Sequence, residues 1–301
     1  MMQRKIICII CGIFISGSVF AREDPVRLKL MEDSLYRIMK TLQGTHDPGD
    51  RIDLNRQFAE TLNRTLYLEG SFDYPFDSLK FLARLTSPDK EFRIYNWNLP
   101  DSSGKNTYFA YIQWNEKKYP KKPLLILKDY SDSIREPETV LLDARHWYGV
   151  LYYKIIPTDI KGKRVYTLLG WDGGDPAVTC KVIDVFSFDK QGGEIFGSAI
   201  FHGYGDDKKT RIIFRFSSES SMALRYQEQF IPSQKKWNSK KKEFEYSVKK
   251  EWAIVFDRLV PLYPDMDGQY RFYVPSGDAF DGFILSKEGW SFVSDIDARN
   301  H

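Results

Sequence analysis

The spacing of apolar residues changes from a helical period to a strand period near residue 91. Between Pro25 and Gly44 apolar residues recur every three or four positions, which predicts an amphipathic helix. Two further stripes predict a helix capped by Asp50 and a shorter helix that begins near Pro75 and ends before Pro88. Such stripes are typical of core-facing surfaces, so these helices are expected to pack on each other or on a sheet.

Short runs rich in aromatic and β-branched residues follow one another after Phe92, separated by turn residues. The strand-like runs are residues 92–97, 108–114, 124–127, 148–156, 164–171, 180–188, 195–202, 210–216, 222–226, 252–256, 269–273, 283–285 and 290–293. Turns that contain Gly, Pro or Asp between neighbouring runs predict antiparallel hairpins and a meander.

The three runs between residues 148 and 188 are the centre of this pattern. Both alternating faces of these runs are apolar, which predicts a sheet that is covered on both sides. The first run is expected to stop at Pro157, and a lysine-rich stretch from Lys235 to Lys250 is expected to interrupt the later strands.

These patterns predict an α+β fold that is mainly antiparallel β, with an N-terminal helical cap and a meander or sandwich-like region. We divide the chain into a signal peptide at residues 1–21, a helical region at 22–90 and a β-rich region at 91–301. No linker rich in Pro, Gly or Ser separates the last two regions, so the helices are expected to pack on the strands as one unit.

The first residues have the pattern of a secretory signal peptide. Arg4 and Lys5 precede an apolar run of about a dozen residues, and Val19 and Ala21 place small residues where a signal peptidase reads. We predict cleavage after Ala21 and export to the periplasm or the extracellular space. An uncleaved N-terminal anchor is the alternative.

Removal of this leader changes the charge and the cysteine content. The chain has 44 Lys and Arg against 41 Asp and Glu, and loss of Arg4 and Lys5 leaves 42 against 41. A nearly neutral chain argues against nucleic acid as a partner. Cys8 and Cys11 leave with the leader, so Cys180 has no intramolecular disulfide partner and the core has to supply the stability.

Common catalytic motifs are missing from the sequence. It contains no G-x-S-x-G, H-E-x-x-H or P-loop pattern, and no G-x-G-x-x-G follows a strand, so no cofactor is predicted. Cys180 could in principle pair with His146 or His202 as nucleophile and base, but its place in a strand favours a buried, inert thiol.

Acidic residues in predicted turns are the remaining candidates for chemistry. The candidate metal ligands are Asp172, Asp175, Asp265, Asp267, Asp278 and Asp281. Oxygen ligands of this kind suit calcium, and two converging carboxylates could act as acid and base on a glycan. Tight turns also require Asp and Gly for purely structural reasons, and none of these segments has the spacing of an EF-hand.

Residues 235–250 interleave lysines with aromatic residues. Behind a signal peptide this stretch favours an anionic membrane surface or a glycan over nucleic acid. A solvated hairpin whose lysines discourage edge pairing is the simpler interpretation.

Several strings resemble a family of exported proteins from Bacteroidetes-type bacteria. They are YYKIIPT at 152–158, YTLLGWDG at 166–173, KVIDVFSFD at 181–189, IVFDRLVP at 254–261 and DAFDGF at 278–283, and the resemblance extends over residues 92–300. The resemblance implies an exported protein of the Gram-negative periplasm, and it implies no activity and no site residues.

The sequence thus favours a non-catalytic envelope module that binds a glycan or a protein partner through exposed aromatic residues. The alternative is a glycan-directed envelope hydrolase that uses Asp residues on loops at strand ends. A hydrolase needs carboxylates that converge in a cleft with a perturbed pKa, whereas a binding module needs an exposed aromatic surface.

Overall fold

The computed structural model describes residues 25–296, with only the backbone described at residues 232–236 and 243–248. The predicted signal peptide at residues 1–21 lies outside the described residues. The elements are α1 (Pro25–Gly44), α2 (Pro48–Leu66), β1 (Ala83–Thr86), β2 (Phe92–Pro100), β3 (Asn106–Trp114), β4 (Leu125–Lys128), β5 (Leu151–Ile160), β6 (Lys163–Asp172), β7 (Val178–Phe188), β8 (Glu194–Phe196), β9 (Phe201–His202), β10 (Ile212–Ser217), β11 (Leu224–Asn238), β12 (Glu243–Pro261), β13 (Tyr273–Leu285) and β14 (Trp290–Ile296).

The strands form three sheets that stack behind the two helices. The outer sheet has the order β1-β2-β3-β4, the central sheet has β10-β7-β6-β5 with β8 paired to β7, and the C-terminal sheet has β11-β12-β13-β14-β9. All pairs are antiparallel except β9 with β14. The predicted α+β fold with mainly antiparallel strands is therefore confirmed.

The two helices cover the outer face of the outer sheet. Leu35 and Phe58 are fully buried there against Trp97, whose Nε1 donates a hydrogen bond of 2.8 Å to Asn55. The prediction that Asp50 caps α2 is wrong, because Asp47 caps it and accepts a hydrogen bond from the Asp50 amide. Proline is tolerated in the first helical turn, so the helix begins at the proline that follows Asp47. None of the helices in residues 25–296 has the length and apolar character needed to cross a bilayer.

The predicted third helix is also wrong. Residues 67–82 form turns, and β1 follows them. Two arginines bind the backbone carbonyls of this segment: Arg93 donates to those of Phe72 and Tyr74, and Arg84 donates to those of Phe76 and Leu79. Phe76 has φ +51°, which a right-handed helix does not allow. Phe76, Leu79 and Leu82 are still buried under the helices, so the apolar spacing indicated burial and not a helix.

The central sheet is buried on both faces, as predicted. Leu168 and Val182 face the outer sheet, whereas Leu169 and Ile183 face the C-terminal sheet. The expected stop at Pro157 is wrong, because β5 continues to Ile160 with Pro157 opposite Tyr166. β5 lies at the edge of its sheet, where a proline need not donate to a neighbouring strand.

The C-terminal sheet contains the longest hairpin of the described chain. β11 and β12 pair from Leu224 opposite Phe256 to Asn238 opposite Glu243, so the lysine-rich stretch continues both strands and does not interrupt them. Residues 270–272 form a single 3-10 turn before β13 where a strand was expected. The predicted closing hairpin is confirmed, since β13 and β14 pair directly.

Candidate functional site

A cleft of about 360 Å³ opens where β10 of the central sheet meets β12 and β13 of the C-terminal sheet. Its charged and tyrosine side chains are Glu138, Lys209, Arg215, Asp257, Arg258, Asp281, Tyr204, Tyr270 and Tyr273. We call this feature the β10–β12 cleft. It combines aromatic rings with charged groups of both signs, which is the composition of a polar-ligand site.

Glu138 pairs with two cations in one wall of the cleft. Its carboxylate accepts a hydrogen bond of 2.9 Å from Lys209 and lies 3.3 Å from Nη1 of Arg215. The backbone amide of Ile213 also donates to it, at 3.3 Å. Burial alone would lower the pKa of Arg215, but the charges of Glu138, Tyr148 and Cys180 and the hydrogen bond to Glu138 together raise it. One loop residue therefore holds two cations against the end of the central sheet.

Arg258 and Asp281 form the opposite charged group. Nε and Nη2 of Arg258 donate to the two carboxylate oxygens of Asp281, at 3.0 and 2.5 Å, and Nη2 also reaches Asp295 at 2.8 Å. Hydrogen bonds to Asp281 and Asp295 raise the pKa of Arg258. A bulge between Asp257 and Leu259 places Arg258 at this position. The bidentate geometry fixes the guanidinium plane in the wall of the cleft.

Three tyrosines supply the aromatic surface. The Arg215 guanidinium lies 5.6 Å from the ring centre of Tyr270, and Lys209 lies 5.6 Å from that of Tyr204. Tyr204 is largely enclosed, and burial raises its pKa to about 12. Tyr270 is 44% exposed and its ring centre is 5.5 Å from that of Tyr273. Tyr270 therefore offers an accessible aromatic face at the mouth of the cleft.

The charges that line the cleft are balanced in sign. Three cations and three carboxylates line it. The cations and two of the carboxylates are engaged in the pairs described above, and Asp257 accepts a hydrogen bond of 2.7 Å from the Ala223 amide. A charged ligand would meet a like charge here, whereas a neutral polar ligand would find both donors and acceptors.

The predicted metal ligands are spread over three parts of the fold. Asp172 ends β6, where it accepts hydrogen bonds from the hydroxyls of Tyr108 and Tyr148 at 3.0 and 3.3 Å. Burial raises the pKa of the Asp172 carboxyl. Asp175 caps the following turn through hydrogen bonds from the amides of Ala177 and Val178.

The other four candidates lie on or beside β13. Asp265 is in a 3-10 turn, and Asp267 accepts a hydrogen bond from the hydroxyl of Tyr273. Asp278 and Asp281 lie inside β13, so their predicted placement in a loop is wrong. Asp281 is the one candidate that lines the β10–β12 cleft. Within residues 25–296, no group of three or more His, Cys, Asp or Glu side chains is arranged to hold a metal ion.

Cys180 is buried in the core between the outer and central sheets, as expected for a strand cysteine. Burial raises the pKa of its thiol to about 12. His146 is paired with Asp143 at 2.9 Å, and His202 contacts the carbonyl of Glu288. A high thiol pKa disfavours the thiolate that a nucleophilic cysteine needs.

Sequence reasoning missed most residues of the cleft. Arg215 and Arg258 each stand in the middle of an apolar strand, and a charge in such a run is a signal because a partly buried charge needs a partner. Glu138 and Lys209 come from polar loops and carry no comparable signal. They lie 71 residues apart in the sequence and are joined only by the fold.

Comparisons of the chain with protein-family models, with characterised proteins and with solved structures found no match.

Proposed function

We propose that this chain is an exported, non-catalytic binding module of the bacterial envelope and that the β10–β12 cleft binds a neutral glycan. One observation carries this proposal: an accessible tyrosine face lies beside balanced ion pairs in a cleft between two sheets. Export rests on the N-terminal pattern that predicts cleavage after Ala21, together with the resemblance to exported proteins of Bacteroidetes-type bacteria.

The chemistry of a pyranose ring matches both parts of this cleft. The C–H face of a sugar packs on an aromatic ring, and its hydroxyls both donate and accept hydrogen bonds. Tyr270 supplies such a ring at the mouth. Arg215 and Lys209 supply donors, and Glu138 and Asp281 supply acceptors, on walls that their mutual pairing holds in place.

Exposed apolar side chains next to the mouth extend this surface. Leu262 is 54% exposed and Tyr263 is 62% exposed, in the segment that leads from β12 to the turn containing Tyr270. An exposed aromatic surface of this kind is the feature that distinguishes a binding module from a hydrolase. A longer glycan chain could extend from the cleft over these residues.

A hydrolase fits the cleft less well. Both oxygens of Asp281 are engaged by Arg258, and Glu138 is shared between Lys209 and Arg215. Carboxylates held in this way can still accept a hydrogen bond from a sugar hydroxyl, but the paired cations hold them in the wall and make them weaker bases and nucleophiles. Asp172, whose pKa is raised, does not line the cleft.

Replacement of Tyr270 tests the proposal directly. We expect Tyr270→Ala to weaken binding of a neutral oligosaccharide about threefold to tenfold, since an aromatic contact contributes about 0.5–1.5 kcal/mol. Neutral hexose and N-acetylhexosamine oligomers would be screened by thermal shift on the chain from Arg22 to His301. The affinity of each hit would then be measured by calorimetry.

Tyr36→Ala is the matched control, because Tyr36 is 38% exposed on α1, away from the cleft. Equal losses in the two variants would contradict the assignment of the cleft. Breakdown of a bound oligomer, measured by release of reducing ends, would favour the hydrolase. If none of the neutral oligosaccharides binds, the neutral-glycan proposal is wrong and a protein partner becomes the favoured ligand.

A further inference from the structure

The outer part of the β11–β12 hairpin extends beyond the rest of the C-terminal sheet. β12 pairs with β13 only from Ala253 onward, where Ala253 lies opposite Ile284. Within the described chain, residues 243–252 of β12 and the facing residues of β11 have only each other as strand neighbours. At the rise of a strand, this stretch of β12 is about 30 Å long. We call residues 228–252 the β11–β12 arm.

The arm concentrates the positive charge of the chain. Its outer part, residues 235–250, contains seven lysines and two glutamates. Of the 44 Lys and Arg and the 41 Asp and Glu in the whole chain, 37 and 39 remain outside this stretch. The outer part of the arm is therefore a basic surface on an otherwise nearly neutral protein. Such a charge asymmetry favours an anionic partner.

The turn at the end of the arm contains three adjacent lysines at residues 240–242, and all three are exposed. Oδ1 of Asn238 closes this turn by accepting hydrogen bonds of 3.0 and 3.2 Å from the amides of Lys240 and Lys241. Two lysines nearer the body of the protein are in ion pairs, Lys249 with Glu251 and Lys250 with Glu228. The three adjacent lysines therefore make the turn the most basic point of the arm.

Exposed aromatic side chains lie on one face of the same arm. Successive residues of a strand alternate between its two faces, so the even-numbered residues of β12 share a face. Phe230 is opposite residue 250 and Trp237 is opposite residue 244, because a bulge in β11 shifts the register between them. Phe230, Trp237 and Trp252 are therefore on the same face, with exposed fractions of 41%, 56% and 50%. Trp237 is also next to the basic turn.

This combination matches the surface of an anionic lipid bilayer. Anionic headgroups attract lysines, and a tryptophan ring is favoured at the interface, where its apolar body meets acyl chains and its N–H meets water. A soluble polyanion would also attract the lysines, but it would leave the ring of Trp237 in water. The exposed aromatic face beside the turn thus favours the bilayer over a soluble polyanion.

We propose that the tip of the β11–β12 arm docks on an anionic bilayer surface. Residues 240–242 contact the phosphates of the headgroups, and Trp237 enters the interface beside them. The arm holds these groups away from the rest of the C-terminal sheet, so the protein can bind the membrane from one side. This inference does not depend on what the β10–β12 cleft binds.

The test measures binding of the chain from Arg22 to His301 to two kinds of vesicle, one of phosphatidylcholine alone and one of equal parts phosphatidylcholine and phosphatidylglycerol. We expect the chain to sediment with the anionic vesicles only, and added NaCl should lower the bound fraction because salt screens the charges. Lys240→Gln, Lys241→Gln and Lys242→Gln, made together, should weaken binding about a hundredfold, since each lysine near an anionic surface contributes about fivefold.

Brominated lipids test the position of Trp237, because bromine on the acyl chains quenches a tryptophan that enters the interface. We expect the bound chain to lose fluorescence on brominated anionic vesicles. Trp237→Phe should still bind these vesicles, but most of the quenching should be lost. Quenching that is the same in Trp237→Phe would contradict the docking of the tip.

The matched control removes the same charge from exposed positions outside the arm, by making Lys40→Gln, Lys80→Gln and Lys190→Gln together. The proposal is overturned if the two triple variants bind equally, if both kinds of vesicle bind equally or if neither binds. It is also overturned if the chain binds polygalacturonate, a soluble polyanion, and not the anionic vesicles. Thermal unfolding shows whether each variant is folded, and the quenching of the unmodified chain provides the test if the arm variant is not.

Discussion

Asp184 and Arg211 form an ion pair in which both side chains are fully buried, with Nε of Arg211 2.9 Å from the carboxylate. Tyr152 donates a hydrogen bond of 2.7 Å to the same carboxylate and accepts one of 2.9 Å from Trp147. Burial and the charge of Asp184 raise the pKa of Tyr152. These four residues lie at the interface of the outer and central sheets, where an unpaired charge would be costly.

Arg211→Met is expected to lower the free energy of unfolding by about 3–5 kcal/mol, because it leaves the Asp184 carboxylate buried without a counter-ion. Adding Asp184→Asn to that variant should restore about half of the loss, since the amide is neutral and can still bond Tyr152. Urea unfolding of the single and double variants measures both effects. A double variant no more stable than Arg211→Met would contradict this account.

The raised pKa of Asp172 makes the free energy of unfolding depend on pH. Burial raises its pKa above the ordinary 3.8, despite hydrogen bonds from Gly174, Tyr108 and Tyr148. The unfolded chain therefore loses this proton first as pH rises. The stabilising contribution of the protonated carboxyl is complete below the unfolded pKa and is lost as pH rises through the folded pKa.

The free energy of unfolding of Asp172→Asn should therefore increase, relative to that of the unmodified chain, as the pH rises above the ordinary carboxyl pKa of 3.8. Urea unfolding at steps between about pH 4 and pH 8 measures this difference. Asp278→Asn, at an exposed position of β13, is the control and should show no such trend. A difference for Asp172→Asn that falls with pH would show that the sign is wrong.

At the scale of elements, the close packing of the start of β14 against Ile200 depends on one glycine. Gly289 has φ +145°, and a Cβ there would lie 2.2 Å from the carbonyl oxygen of Ile200. The amide of Trp290 donates a hydrogen bond of 2.7 Å to that same oxygen. Trp290 is fully buried and reaches Thr167 of the central sheet.

Gly289→Ala is expected to destabilise the fold by about 3 kcal/mol or more, through backbone strain combined with the clash at Ile200. Gly268→Ala separates the two effects, because Gly268 has φ +79° but no atom within 4 Å of a Cβ. That change should cost about 1–2 kcal/mol. Equal losses, measured by thermal unfolding, would mean that the contact with Ile200 contributes nothing.

The predictions of secondary structure were wrong where contacts formed in the folded chain decided the backbone conformation. The apolar spacing after Pro75 suits a helix, but Arg84 binds the carbonyls of Phe76 and Leu79, which helical hydrogen bonds would use. Pro157 was expected to end a strand, but it lies on an edge strand whose place in the sheet is a tertiary fact. Where only local spacing mattered, as in α1 and the β2–β3 hairpin, the prediction was confirmed.

At the scale of the whole molecule, the helices are the outer cover of a stack of three sheets. Tyr95, Trp97 and Tyr111 of the outer sheet are buried beneath α1 and α2. Gln113 of β3 also donates a hydrogen bond of 2.8 Å to the carbonyl of Leu66 at the end of α2. Removal of the helices would expose these rings to water.

Deletion of residues 25–80 is therefore expected to give a chain that binds the dye ANS and unfolds at a lower urea concentration than the intact chain. Leu35→Ala is a milder version of the same change. Because Leu35 is fully buried, it should cost about 2–5 kcal/mol. A shortened chain that unfolds at the urea midpoint of the intact chain would show that the helices do not stabilise the sheets.

The sequence by itself determined the class of fold, the order of most elements and the burial of both faces of the central sheet, because apolar periodicity is a local property of the chain. It indicated the turn carboxylates and Cys180 as well. Only the tertiary structure brought Glu138 to Lys209 and Arg258 to Asp281. Charges separated by tens of residues meet when sheets stack, and spacing along a chain does not record that stacking.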